Sequence, residues 1–195
     1  MNYKELSRII DSSLYEEQLA KISRAQNATD IETLAELATD DMKLVRLQVA
    51  ENPNTPPEVL EGLAHDEEFR VVVAVAKNPN TPPEVLVNLS KLKGRGRSSR
   101  YGGFTHYTHE AIAENPNTPQ DVLVTLAHDE SLYDLRRSLL KNPNLSSDIL
   151  ETLSTDAHYD VREGVANHSN TSVDTLRQLA ADEENSVRKA AASKL

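Results

Sequence analysis

Short apolar blocks with helical spacing recur along this chain. A polar stretch of the type Asn-Pro-Asn, which we call the punctuation, recurs before alternate blocks, as at residues 52–54. In residues 59–64, four apolar side chains fall on one stripe of a helix, directly after Asn-Pro-Asn-Thr-Pro-Pro at 52–57. Threonine followed by proline is typical of a helix start, because the first helical N–H groups have no partner within the helix. No stretch alternates with a period of two, so the pattern predicts an all-α chain.

The punctuation returns at a nearly constant interval. Successive copies are 26, 37, 27 and 26 residues apart, counted from the second asparagine of each copy. These asparagines are Asn54, Asn80, Asn117, Asn144 and Asn170. A period of this size is typical of a helical solenoid, in which one hairpin cannot bury its apolar face until a neighbour stacks on it. We therefore predict a repeat array over residues 27–195, preceded by an N-terminal helical cap and degenerate half-repeat over 1–26.

The same signals predict where helices begin. Thr55 is expected at the N-cap with Glu58 three residues later, and residues 13–16 indicate a second capping box that opens a new helix. A second apolar block, residues 45–50 in the first copy, lies between one such helix and the next punctuation. Because little chain is left for it, we predict a shorter second helix of α or 3-10 type.

Aspartate and arginine recur at a fixed spacing in the second block. An Asp precedes an Arg by six residues in the pairs Asp40/Arg46, Asp156/Arg162 and Asp182/Arg188, and by seven in Asp129/Arg136. Structural ion pairs are common, so the spacing predicts a ladder that ties neighbouring repeats. Where the ladder leaves a guanidinium exposed, we expect a partner contact, with the candidates Arg46, Arg136, Arg137 and Arg162.

The long interval contains an insertion whose composition differs from the rest of the chain. Residues 91–107 hold five cations, four glycines and three aromatics, and we predict a basic, glycine-rich loop. Long loops in compact arrays are often functional, and cations beside stackable rings suit a phosphate or an acidic protein surface. A solvated segment without a ligand is the alternative. The candidate partner-binding residues are Lys91, Lys93, Arg95, Arg97, Arg100, Tyr101 and Tyr107.

Charge and composition limit the function classes. The net charge of -10 argues against general binding to nucleic acid or anionic membranes, which are themselves negative. The chain has no cysteine, which excludes disulfides and thiolate-ligated metals. No apolar run has the length of a signal peptide or of a membrane span, and we expect a cytoplasmic protein.

Catalytic and metal-binding patterns are absent from the sequence. His106, His109 and Glu110 are close in sequence, but a metal site needs three or four ligands with supporting groups, and nothing nearby supplies them. No nucleophile elbow or phosphate-binding glycine motif occurs. We therefore expect no enzyme, no cofactor and no metal.

The Asn-Pro-Asn-Thr-Pro-Pro-Glu-Val-Leu blocks at 52–60 and 78–86, with Val-Arg-x-x-Val-Ala at 161–166, resemble the leucine-rich repeat variant family and, more distantly, HEAT repeats. The resemblance covers about residues 27 to 195. It implies a right-handed α-solenoid of two-helix repeats and no enzymatic activity. The iron–sulfur cluster of well-known relatives needs cysteines, so it does not carry over.

The expected function is a non-catalytic protein–protein interaction scaffold with a protein partner. One alternative is a nucleic-acid-associated HEAT-like protein that contacts the phosphate backbone through the basic loop. Another is an acidic inhibitor of a nucleic-acid-binding protein. We expect a monomer, with an end-to-end dimer as the alternative.

Overall fold

The computed structural model describes residues 3–92, 103–129 and 133–195. These residues form thirteen α-helices and no strand, which confirms the predicted all-α helical-repeat fold. The chain divides into two compact parts, the N-terminal segment Met1–Thr81 and the C-terminal segment Pro82–Leu195.

The N-terminal segment contains five helices: α1 (Tyr3–Asn27), α2 (Ile31–Leu37), α3 (Lys43–Glu51), α4 (Pro57–Leu63) and α5 (Phe69–Lys77). We call α2 and α4 first helices, because they follow the punctuation, and α3 and α5 second helices. The second helices stack, since α3 packs on both α1 and α5, and each first helix packs on its own second helix. Two helical layers result within this segment.

The C-terminal segment repeats the arrangement. Its first helices are α6 (Pro83–Ser90), α8 (Gln120–Ala127), α10 (Ser147–Leu153) and α12 (Val173–Leu179). Its second helices are α7 (Gly103–Glu114), α9 (Tyr133–Leu139), α11 (Tyr159–Asn167) and α13 (Asn185–Ala192). Here α7 packs on α9, and α11 packs on α9 and α13.

The core lies between the layers of each segment. Every described second helix except α7 buries its third and seventh positions, as Val161 and Val165 do in α11, because residues four apart lie on one helix face. In α7, Thr108 and Ile112 take these buried places. The first helices contribute leucines such as Leu60 and Leu150, which are also fully buried. Full burial of such a side chain contributes about 1.5–3 kcal/mol, so this stripe fixes which face of each helix turns inward.

The predicted helix break near residues 13–16 is wrong. α1 runs without interruption from Tyr3 to Asn27. This stretch contains no glycine or proline, and the serines that suggested a cap are tolerated inside a helix when nothing else ends it.

The predicted cap at Thr55 is also wrong. Pro56 occupies the N-cap of α4, and the Thr55 hydroxyl instead donates to the carbonyl oxygen of Val49 at 2.5 Å. Thr81 makes the same bond to Val75 at 2.5 Å. The threonine thus satisfies a carbonyl at the end of the preceding second helix, where carbonyls lack helical partners.

The second helices are α-helical, and among the described helices only α9, with 7 residues, is shorter than the first helix of its own repeat, α8, with 8. α3, α5 and α11 each have 9 residues, against 7 in α2, α4, α10 and α12. The insertion also ends earlier than predicted, because α7 begins at Gly103 and the last residues of the segment 91–107 are helical.

Candidate functional site

Side chains of the punctuation hold neighbouring repeats together in the N-terminal segment. Asn52 Nδ2 donates to the carbonyl oxygens of Ala25 at 2.8 Å and Ala28 at 3.0 Å, and Asn78 Nδ2 donates to those of Ala50 at 2.8 Å and Asn52 at 2.9 Å. The Asn52 Oδ1 atom also accepts the backbone N–H of Asn54 at 2.8 Å. One asparagine therefore forms the turn and bridges two repeats.

The C-terminal segment continues this asparagine ladder with one change of residue. Asn142 Nδ2 donates to the carbonyl oxygens of Ala113 at 2.9 Å and Asn115 at 2.7 Å. His168 takes the same position in the next repeat, with Nε2 3.0 Å from the Asn142 oxygen and Nδ1 3.2 Å from the Asn170 nitrogen. Only the neutral tautomer with hydrogen on Nε2 satisfies both bonds.

The predicted Asp–Arg ladder between neighbouring repeats is confirmed, but the arginine pairs with an aspartate of the following repeat and not with the carboxylate six residues before it. Arg46 donates from Nε and Nη2 to Asp66 of the following repeat at 2.6 and 3.0 Å, and from Nη1 to the backbone oxygen of Asp40 at 2.9 Å. Burial alone would raise the pKa of Asp66, but hydrogen bonds from Arg46 and from the backbone N–H of Glu68 outweigh it and hold that pKa below its usual value.

Arg162 repeats this geometry in the C-terminal segment. It donates from Nε and Nη2 to Asp182 at 2.7 and 2.9 Å, and these bonds raise the pKa of Arg162 and lower that of Asp182. Arg136 likewise donates to Asp156. The bidentate fork fits a carboxylate with defined geometry, so each pair sets the spacing of two repeats.

Three of the four arginines that the sequence suggested as partner contacts are not exposed. Arg46, Arg136 and Arg162 have side chains only 11%, 9% and 9% exposed and already bind carboxylates. Arg137 is exposed and lies with its guanidinium carbon 5.7 Å from the Tyr133 ring centroid. Of the four, only Arg137 is placed to meet a partner.

The second helices carry exposed apolar and aromatic side chains. Leu44 in α3 and Phe69 in α5 are 47% and 43% exposed, and Tyr107 in α7 and Tyr159 in α11 are 46% and 49% exposed. Leu44, Phe69 and Tyr159 occupy one of the two positions directly before the buried third position of their helix, and Tyr107 directly precedes the buried Thr108. The sequence interpretation missed Leu44, Phe69 and Tyr159 because it began each second block at the buried residue, and it assigned Tyr107 to the loop. We call this surface of each segment its second-helix face.

A groove crosses the second-helix face of the C-terminal segment. Its volume is about 720 Å³, and α9 and α11 supply half of its lining residues; the lining includes Arg137, Lys141, Asp160 and His168. The Tyr133 hydroxyl donates at 2.5 Å to Asp160, one of these lining residues. Acidic and basic groups thus lie within reach of one ligand.

Comparison with known proteins identifies the repeat type. Residues 44–68 and 159–184 fit the leucine rich repeat variant model. The predicted resemblance is confirmed. The chain is also similar to a solved structure described as a leucine-rich repeat variant with a novel repetitive protein structural motif, with a TM-score of 0.61 and 25% identity. That match covers 91% of this chain and 66% of the other chain, and no curated protein matches.

Both matched segments contain parts of the ladders and of the second-helix faces. Residues 44–68 include Arg46 and Asp66, and residues 159–184 include Arg162 and Asp182. The ladder arginines of the two matched segments are therefore structural. Leu44 and Tyr159, which precede the buried third position of the same helices, face solvent.

The predicted loop residues fall mostly outside the described residues. Lys93, Arg95, Arg97, Arg100 and Tyr101 lie there. Lys91 is exposed at the C-cap of α6, and Tyr107 lies in α7 and belongs to the second-helix face. The loop contact therefore stays a prediction, and the structure brings only Tyr107 together with the groups of that face.

The histidines after the insertion make contacts within the protein. His109 Nε2 lies 3.2 Å from the Ser90 backbone oxygen, and His106 Nε2 lies 3.4 Å from Glu110. Burial lowers the pKa of His109, against the opposing effect of the bond to Ser90. Within the described ranges, no three His, Cys, Asp or Glu side chains form a group that could hold a metal, and no helix could span a membrane.

Proposed function

We propose that this chain is a non-catalytic protein-binding scaffold whose partner contacts the second-helix faces. The observation that supports it is the set of exposed Leu44, Phe69, Tyr107 and Tyr159 side chains, each of which lies one or two residues before a buried position of its second helix. Aromatic side chains are enriched among the residues that carry most of the binding energy in protein interfaces. Each segment thus offers two such anchors.

The rigidity of the frame supports the same function. Each asparagine of the ladder contacts backbone of the preceding repeat, and each ladder arginine contacts a carboxylate of the following one. A preorganised surface loses little conformational entropy when it binds, which favours affinity. Repeat arrays use such extended surfaces for recognition. Arg137 and the loop cations belong to the proposed contact set as polar neighbours of these anchors.

The test is an affinity capture from native cell lysate with the wild type and three variants. Phe69→Ala and Tyr159→Ala, each in the full chain, remove one anchor from each segment. Val173→Ala is the matched control, since Val173 is 54% exposed but lies on a first helix. Captured proteins are identified by mass spectrometry, with and without nuclease treatment of the lysate.

The proposal expects one protein that is retained by the wild type and by the control, is reduced in the two anchor variants, and does not respond to nuclease. Equal retention by all variants would contradict the role of the second-helix faces. Loss on nuclease treatment would favour the nucleic-acid alternative, and the variant with Arg95, Arg97 and Arg100 changed to Ala would then locate the contact in the loop.

A further inference from the structure

Two rings of the second-helix faces already carry an arginine. Arg70 lies 5.9 Å from the Phe69 ring centroid in α5, and Arg137 lies 5.7 Å from the Tyr133 ring centroid in α9. Both rings occupy the first position of their helix. Guanidinium groups at this distance are attracted by the negative face of the ring. The first position of a second helix is thus suited to bind a cation.

Tyr159 has the same position in α11 but no cation of its own. Where Arg137 stands four residues after Tyr133, Glu163 stands four residues after Tyr159, and Asp160 is the next residue. In the described ranges no Arg or Lys lies over the Tyr159 ring, and the side chain is 49% exposed. The Tyr159 ring is therefore available to a cation, and the carboxylate of Glu163 stands at the position that Arg137 has in α9.

Negative charge surrounds this ring. The pKa of the Tyr159 hydroxyl is raised, mainly by the charge of Asp160 and a hydrogen bond with its carboxylate, and also by the charges of Glu184 and Glu163. The nearest ladder arginine, Arg162, is held by Asp182 and does not neutralise them. Glu163 makes no ion pair within the described part of the chain. A cation that entered here would meet a ring face and a carboxylate together.

We propose that Tyr159, Asp160 and Glu163 bind an arginine or lysine side chain presented by a basic segment of the protein partner. The proposal rests on the protein-binding function above and names the chemistry of its partner. Charge complementarity favours it, because the site combines an exposed ring with carboxylates. The adjoining groove, which Asp160 also lines, gives the rest of such a segment a place to lie.

The test uses a fluorescein-labelled peptide of alternating arginine and glycine, with a glutamate–glycine peptide as the negative probe, and the full chain titrated in a fluorescence anisotropy assay. Tyr159→Ala removes the ring, and Tyr159→Phe keeps it without the hydroxyl. Glu163→Arg supplies an internal guanidinium like that of Arg137. Glu151→Arg is the charge-matched control, since Glu151 is exposed on the first helix α10.

We expect the arginine peptide to bind and Tyr159→Ala to weaken its affinity about 2- to 30-fold, the range of one cation–ring contact. Tyr159→Phe should bind like the wild type. Glu163→Arg should weaken binding at least as much as Tyr159→Ala, and Glu151→Arg by no more than about twofold, as for an exposed charge. Circular dichroism spectra confirm that each variant is folded.

Equal losses in Glu163→Arg and Glu151→Arg would show attraction to net charge alone and would overturn the proposal. So would an unchanged affinity in Tyr159→Ala, or no binding of the arginine peptide by the wild type at low salt. If the peptide fails while the lysate capture still depends on Tyr159, the scaffold function stands and only the basic partner is refuted.

Discussion

Replacing Asn142 by alanine tests whether the asparagine ladder stabilises the array. The side chain is fully buried and makes three hydrogen bonds, to the oxygens of Ala113 and Asn115 and from the N–H of Asn144. Alanine fits the space but replaces none of them. Both the contact between repeats and the turn are therefore lost in one change.

The expected loss can be worked from these three bonds. A typical hydrogen bond contributes about 0.5–1.5 kcal/mol net, and a buried group left without a partner costs about 1–3 kcal/mol. The Asn115 oxygen keeps a second partner, the backbone N–H of Thr118 at 3.1 Å, so its loss is at the low end. We expect Asn142→Ala to lower the free energy of unfolding by about 2–4 kcal/mol.

Two further variants make the assay specific. Asn142→His keeps one donor and one acceptor, as His168 does naturally, and should fall between the wild type and Asn142→Ala. Asn144→Ala removes a single exposed bond, from its Nδ2 to the Pro116 oxygen at 2.8 Å, and should cost about 1 kcal/mol or less. Urea unfolding followed by circular dichroism gives the free energies, and hydrogen exchange locates the loosened repeat.

A loss below about 0.5 kcal/mol in Asn142→Ala would refute the reasoning, because three buried bonds cannot be removed at so small a cost unless they contribute nothing net. Equal losses in Asn142→Ala and Asn144→Ala would also contradict it, since the two side chains differ in burial and in number of bonds. An unchanged hydrogen exchange pattern would place the effect outside the ladder.

Three other predictions concern side chains that link neighbouring helices. Arg162→Ala leaves Asp182 without its bidentate partner in a largely buried place, so urea unfolding should show a loss of about 2–4 kcal/mol, whereas Arg137→Ala should change stability little. Burial lowers the pKa of His109, so this imidazole binds a proton more tightly in the unfolded chain than in the folded one. The stability present above about pH 6.5 is therefore lost as the pH falls toward the lowered pKa. In His109→Gln, the melting temperature should change less between about pH 7 and pH 5 than it does in the wild type. His168→Asn should raise the melting temperature, because an asparagine amide can donate two hydrogen bonds to the preceding repeat, as Asn142 does, whereas the His168 ring donates one; an unchanged melting temperature would contradict this.

The sequence was sufficient to predict the repeated two-helix unit, because burial follows the apolar spacing directly. It was not sufficient for the punctuation. In the sequence Asn52 belongs only to the polar stretch between two helices, yet its Nδ2 reaches Ala25, which is 27 positions away. Such a bond depends on how one repeat stacks on the next, which local propensity does not contain. The same holds for Thr55, whose hydroxyl contacts the preceding helix and not the following one.

The candidate site was harder to predict for a related reason. The Asp–Arg spacing does not show where the ladder leaves a guanidinium exposed, and the Arg162 side chain is only 9% exposed because a carboxylate of the next repeat holds it. Residue size is also matched across repeats. Leu140 stands where other repeats carry alanine, and Gly164 of the next repeat leaves it room, since a Cβ there would clash with the leucine side chain. Neither substitution explains itself within its own repeat.

These contacts divide the positions of a second helix into those that hold the fold and those that face solvent. Its third, fourth and seventh positions are buried or held in the ladder, as Val161, Arg162 and Val165 are in α11. Its first, second and fifth positions make few contacts that the frame needs, and there the repeats differ most in charge and size, as Arg137 of α9 and Glu163 of α11 do at the fifth. Surface substitutions away from structural contacts change stability little. Recognition can therefore change at these positions while the repeat keeps its fold, which is why the second-helix faces, and not the more regular ladder residues, are where we place the binding function.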